Sequence, residues 1–147
     1  MPQYRTYEMK LWSMAPLLRP GDVLLVETDR PIDRVLRGEV IVYREKNDAV
    51  STAHRVIGFR NGRAFPFRTK GDRNALPDDR HGELMFEGVV ARRIRGSDVT
   101  PLRWNRIYLT LSVLGLFPGQ RIPSWLGRSN IKKWFARWSA RSFGRHA

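Results

Sequence analysis

Two residues in this chain have the types that covalent hydrolysis needs. Ser13 opens the stretch Ser13-Met14-Ala15-Pro16-Leu17-Leu18-Arg19-Pro20-Gly21-Asp22, a turn-prone segment restricted by its prolines, and His54 follows in Ala53-His54-Arg55-Val56-Ile57. A serine hydroxyl attacks a carbonyl only when a base removes its proton, and an imidazole with an unperturbed pKa of ~6.5 suits that task near neutral pH. Taken singly, Ser13 reads as a turn serine and His54 as a strand histidine. Taken together they predict a hydrolase. The chain has no cysteine, which excludes a thiol nucleophile, a zinc-thiolate site and a disulfide framework.

The elements that must position these residues read as strands. At 147 residues, with 41% apolar and 28% charged content, the chain has the size and composition of one globular unit with a single real core. Val23-Leu24-Leu25-Val26, Glu39-Val40-Ile41-Val42-Tyr43 and His54-Arg55-Val56-Ile57-Gly58-Phe59 are short and rich in β-branched residues. Pro20-Gly21-Asp22, Arg37-Gly38 and Asn61-Gly62 punctuate them. Asn61-Gly62, between Phe59 and Phe65, predicts a hairpin turn. A further strand is expected over Leu84 to Ala91. The expected fold class is mainly β.

Charge divides the chain. Up to Asp98 the net charge is +4, whereas from Val99 to Ala147 nine Lys/Arg stand without an acid and supply the other +9 of the total +13. This asymmetry predicts a catalytic β domain over residues 1–98 and a basic, Trp-rich extension over 99–147 facing an anionic partner. Ile107 to Phe117 is free of charge, but eleven residues fall short of the ~20 needed to span a bilayer as a helix. Past Pro118-Gly119 and Pro123, Ser129 caps an expected helix with Ile131, Trp134, Phe135 and Trp138 on one stripe and most of Lys132, Lys133, Arg137 and Arg141 off it. Such a helix either lies in a lipid headgroup region or packs its aromatic stripe on the domain. Nucleic acid ranks third, since no helix-turn-helix, OB or RRM signature accompanies the charge.

The order of the motifs resembles that of the type I signal peptidase family. Ser13-Met14-x-Pro16-x-x-x-x-Gly21-Asp22 comes first, then Arg37-Gly38-Glu39-Val40-Ile41-Val42-Tyr43, then His54-Arg55-Val56-Ile57, then Thr69-Lys70-Gly71-Asp72-Arg73-Asn74-x-x-x-Asp78. The chain is similar to the Ser/His branch of that family rather than the Ser/Lys branch. These motifs cover roughly residues 9 to 95, leaving the final third outside the resemblance. The resemblance implies a signal-peptidase-like antiparallel sheet, with the expected helical tail appended. It also implies a serine endopeptidase that removes a leader or signal peptide from a precursor or preprotein. Ser13 is then the nucleophile and His54 the general base. The family pattern puts the orienting acid six residues after the aspartate of the Gly-Asp motif, at Asp78. Asp72 is the alternative acid; otherwise it is a turn-forming residue under the site. Asp79 adjoins Asp78, His81 stands outside the motifs, and His146 lies near the terminus. No metal or cofactor is expected.

Departures from the family pattern shape the expectation. Leu11-Trp12 precede the nucleophile where the family has small or hydroxyl residues, so Leu11 offers no hydroxyl donor and the oxyanion must use backbone N–H groups, foremost that of Ser13. Trp12 and Met14 are expected to line the substrate side of the loop, Met14 having core filler as its other reading. Arg73 stands where the family has Asn. Met1-Pro2-Gln3-Tyr4-Arg5-Thr6-Tyr7-Glu8 shows no apolar anchor or secretory signal, which predicts a cytoplasmic leader-processing peptidase, peripheral at the inner membrane face. Two other classes stand beside the enzyme. One is a self-cleaving-repressor-like regulator, for which residues 1–10 are too short to hold a DNA-binding module. The other is an inactive module that binds a membrane surface.

Overall fold

A computed structural model of the chain describes residues 1–60, 62–78 and 83–102. They form a seven-stranded sheet in which β1 (Tyr4–Glu8), β2 (Val23–Glu27), β6 (Leu84–Arg95), β3 (Val40–Glu45), β4 (Thr52–Phe59) and β5 (Phe67–Lys70) lie side by side in that order. A seventh strand, β7 (Asp98–Pro101), pairs with β6, and every pairing among the described residues is antiparallel. The helical content among these residues is a single 3-10 turn at Ile32–Arg34. No helix among them is long and apolar enough to cross a membrane.

Alternation along the strands fills both faces of the sheet, because successive side chains point to opposite sides. One face packs Leu24, Val26, Val40, Val42, Ala53 and Val90 against Met9, Met14 and Leu18 of the β1–β2 connection. The other packs Ile41, Tyr43, Val56, Phe67 and Val89 with Val35. The central strand β6 serves both, giving Val89 to one core and Val90 to the other. Its register against β3 shifts between Val42 and Tyr43, where Val42 pairs with Gly88 and Tyr43 with Phe86, so Glu87 is the extra residue of a bulge. Gly88 sits there at φ +149°, and a Cβ on it would collide with Glu27 O of β2. Only glycine tolerates that approach.

The expected strands at Val23, Val40, His54 and Leu84 are present, with β3 running on to Glu45 and β6 to Arg95. β1, β5 and β7 are additions. β1 reads Tyr-Arg-Thr-Tyr-Glu and is almost wholly exposed as an edge strand, so it lacks the apolar alternation that marks a half-buried one. The expected boundary near Asp98 falls inside the β6–β7 hairpin, whose register runs from Arg95↔Asp98 to Arg92↔Pro101. Leu102 then donates its N–H to Ala91 O and packs on the first core. The apolar run 107–117, the helix expected from Ser129, Asn61 of the predicted turn, Asp79, His81 and His146 lie outside the described residues. The β4–β5 connection they predicted does form a hairpin, with Phe59 opposite Phe67 and Arg60 N–H donating to Pro66 O.

Candidate active site

Ser13 sits in the β1–β2 connection, and that connection is tied down at both ends. Met9 N–H donates to Asp22 O, Gly21 N–H to Met9 O, and Leu18 N–H to Met14 O. The Ala15–Pro16 peptide is cis. β6 holds the loop from beside: Arg95 clasps the Asp22 carboxylate through Nε at 2.7 Å and Nη2 at 2.8 Å, and Arg93 Nη1 donates to Leu17 O. Arg73 N–H donates to Ser13 O at 2.8 Å, which presses the loop after β5 against the serine backbone. Ser13 itself is half-buried.

His54 lies on β4 opposite Ile41 of β3, and it is buried. Its Nε2 is 3.1 Å from Ser13 Oγ, and its Nδ1 is 2.6 Å from Asp78 Oδ2. An ionised carboxylate can only accept, so the proton belongs on Nδ1, which leaves the Nε2 lone pair facing the serine hydroxyl. Asp78 follows β5 through the loop 71–77, and its N–H returns to Thr69 O at 2.9 Å. Burial alone would raise the Asp78 carboxyl, but the hydrogen bond and charge of His54, with the hydroxyls of Thr69 and Tyr43, hold it below the usual carboxylate range. The residues that the motifs singled out as nucleophile, base and first-choice acid are therefore in hydrogen-bond contact.

The other singled-out residues have different places. Asp72, the alternative acid, does not meet His54. Its carboxylate is fully buried and accepts both Nε and Nη2 of Arg55, at 2.7 and 2.6 Å, while Arg55 Nη1 donates to Gly38 O at 2.7 Å. A bidentate guanidinium partner occupies it from within the fold. Met14, expected to line the loop or to fill the core, is 0% exposed, packs in the first cluster, and its sulfur accepts the Asp72 N–H. Trp12 is 54% exposed and Leu11 69% exposed, so the bulky pair before Ser13 stays on the surface instead of entering the core.

Three residues at the site stand within the motifs without a role assigned to them. Tyr43 and Thr69 both donate to Asp78, and Lys70 is buried beside it and Asp72, its pKa lowered to about 8 chiefly by burial. The available signal was polar residues at inward positions: period two places Tyr43 with Ile41 on β3 and Thr69 with Phe67 on β5. Asp78 also borders a cavity of about 370 Å³ with Tyr43, Phe65, Thr69, Arg60 and Arg63 in its lining. Among the described residues no group of three or more His, Asp or Glu could hold a metal ion.

No protein-family model matches the chain, and no solved structure matches it. A curated relative does: the signal peptidase complex catalytic subunit SEC11 of Fusarium vanettenii, 38% identical over 68 residues. The match spans 46% of this chain and 39% of that protein, so the chain is similar, over less than half of its length, to a signal peptidase catalytic subunit.

Proposed function

We propose that this protein is a serine endopeptidase that removes a leader or signal peptide from a precursor protein. The observation that carries the reading is the hydrogen-bonded run Ser13 Oγ, His54 Nε2, His54 Nδ1, Asp78 Oδ2 at 3.1 and 2.6 Å. Its likeness to SEC11 supports the substrate class. In this reading Ser13 Oγ attacks the scissile carbonyl as His54 Nε2 takes its proton, and the same imidazole then protonates the leaving amine. Asp78 holds the Nδ1–H tautomer and faces the imidazolium that forms. The oxyanion is met by backbone N–H, foremost that of Ser13, a kind of donor worth on the order of 10²–10³ in rate. Water then releases the acyl group.

Exposed Trp12 and Leu11 flank the nucleophile and meet the substrate beside the cut. The basic stretch from Val99 onward, with nine cations and no acid, supports a further proposal, that the enzyme works peripherally at an anionic membrane surface on the cytoplasmic side. Full-length protein would then co-sediment with anionic vesicles and not with neutral ones.

The activity is tested with a synthetic peptide mixture carrying small residues before candidate cleavage positions, read by mass spectrometry. The parent protein cuts a defined subset of it, and Ser13→Ala and His54→Ala each lower the rate by about 10⁶ while their circular dichroism stays that of the parent. Cleavage by Ser13→Ala at the parent's rate refutes the assignment.

A further inference from the structure

Asp78 is gripped by more than the imidazole. Its Oδ2 accepts from His54 Nδ1 at 2.6 Å, Thr69 Oγ1 at 2.7 Å and Tyr43 OH at 2.9 Å, so donors from β4, β5 and β3 converge on one oxygen. A carboxylate at the end of a loop can rotate about its terminal torsion, a soft and broad degree of freedom. Three donors on one oxygen fix it.

Tyr43 is placed to do this and nothing in its packing requires the hydroxyl. The side chain is 0% exposed, with its ring 5.1 Å from that of Phe65 and edge-on to that of His54 at 6.4 Å. A phenylalanine would fill the same space. A phenol that deep needs a polar partner, and Asp78 supplies it. Thr69 bonds Asp78 twice, by its hydroxyl to Oδ2 and by its backbone carbonyl to the Asp78 N–H. The two hydroxyls lie 3.1 Å apart, and with both protons given to Asp78 neither donates to the other.

We propose that Tyr43 and Thr69 are positioning residues that set the orientation of Asp78 and the share of its negative charge that reaches His54, an inference that rests on the peptidase reading above. Each hydroxyl competes with His54 Nδ1–H for the same oxygen, so the pair tunes how strongly the acid pulls on the base. The other charged groups near the acid are Lys70 on β5 and, in the lining of the cavity that Asp78 borders, Arg60, Arg63 and Glu83.

The test uses Tyr43→Phe in the full chain with two readouts. Steady-state cleavage reads a kcat about tenfold lower at unchanged KM, the size of one hydrogen bond to a charged group. The carbon-13 resonance of the Asp78 carboxyl, assigned by its loss in Asp78→Asn, titrates at a higher pH than in the parent because a donor to the ionised form is gone. Thr69→Val behaves likewise, and Thr69→Ser, which keeps the hydroxyl, matches the parent in both; this pair carries the test if Tyr43→Phe does not fold. An Asp78 titration in Tyr43→Phe and Thr69→Val that coincides with the parent's overturns the proposal, even where the rate falls, since packing damage alone would do that. The titration needs no substrate, so its failure is distinct from a failure of Ser13→Ala to abolish cleavage.

Discussion

Replacing Arg55 by methionine isolates what Asp72 does. The side chains of Arg55 and Asp72 are 2% and 0% exposed, with both guanidinium contacts under 2.8 Å. Arg55→Met strips the buried carboxylate of its bidentate partner, leaving Lys70 as the cation beside it, and removes the donor to Gly38 O. Losing one partner of a buried pair costs about 3–5 kcal/mol, a large part of the roughly 5–15 kcal/mol by which such domains are stable. At about 2–4 °C per kcal/mol for a chain of this size, the melting temperature falls by roughly 10 °C. The double variant Arg55→Met/Asp72→Leu recovers part of that loss, because it removes the buried carboxylate with its partner while Asp78 remains beside Lys70. Urea unfolding followed by circular dichroism gives the free energies, and cleavage of the same peptide by each folded variant gives the rates. The double variant stays within about tenfold of the parent rate, whereas Asp78→Asn loses on the order of 10⁴ through the wrong imidazole tautomer. A stable double variant as inert as Asp78→Asn would refute this division of labour and make Asp72 the working acid. Arg55→Met unfolding within 1 kcal/mol of the parent would refute the energetics.

Two further outcomes follow from the loop after β5. A Cβ on Gly71 would lie 2.8 Å from Ser13 O and 2.8 Å from Asn74 Nδ2, so Gly71→Ala pushes the acid-bearing loop off the nucleophile and lowers cleavage at least tenfold, read by steady-state kinetics; a parent-like rate would show that the contact gives way freely. Lys70, held at about 8 mainly by burial, loses its proton in the fold before it does in the unfolded chain near 10.5, so between those values the unfolded state binds the extra proton and stability rises with pH. Urea unfolding between pH 7.5 and 10.5 should show that rise in the parent and lose it in Lys70→Met; the same slope in both would assign it to another group.

Much of this arrangement was legible along the chain, for identifiable reasons. The runs at Val23, Val40, His54 and Leu84 have the β-branched content and bounding turns that mark strands, and each is one. β1 stayed hidden because an exposed edge strand carries charges and hydroxyls instead of an apolar alternation, and β5 because a strand of four residues holds too few positions to show a period. Motif order raised Ser13, His54 and Asp78 together and ranked Asp78 before Asp72; it left Asp72 open as the alternative, since that choice depends on which carboxylate Arg55 claims. Arg55 follows His54 directly, and alternation on β4 sends the two side chains to opposite faces. The inward turn of Met14 was equally invisible from spacing in an irregular loop.

The place of β6 in the sheet bears on how the protein comes into being on the ribosome. The nucleophile belongs to the β1–β2 hairpin and the base and acid to the β3–β4–β5 meander, and the strand that lies between these two pieces is translated after both. Neighbouring pieces such as these can pair locally as they emerge, but their facing edges have no partner until residues 84–95 arrive to be inserted between them. Two halves of the site thus wait on one late segment. A nascent chain stalled before Leu84 holds Ser13, His54 and Asp78 without the strand that joins them, so the site cannot close before residues 84–95 are made.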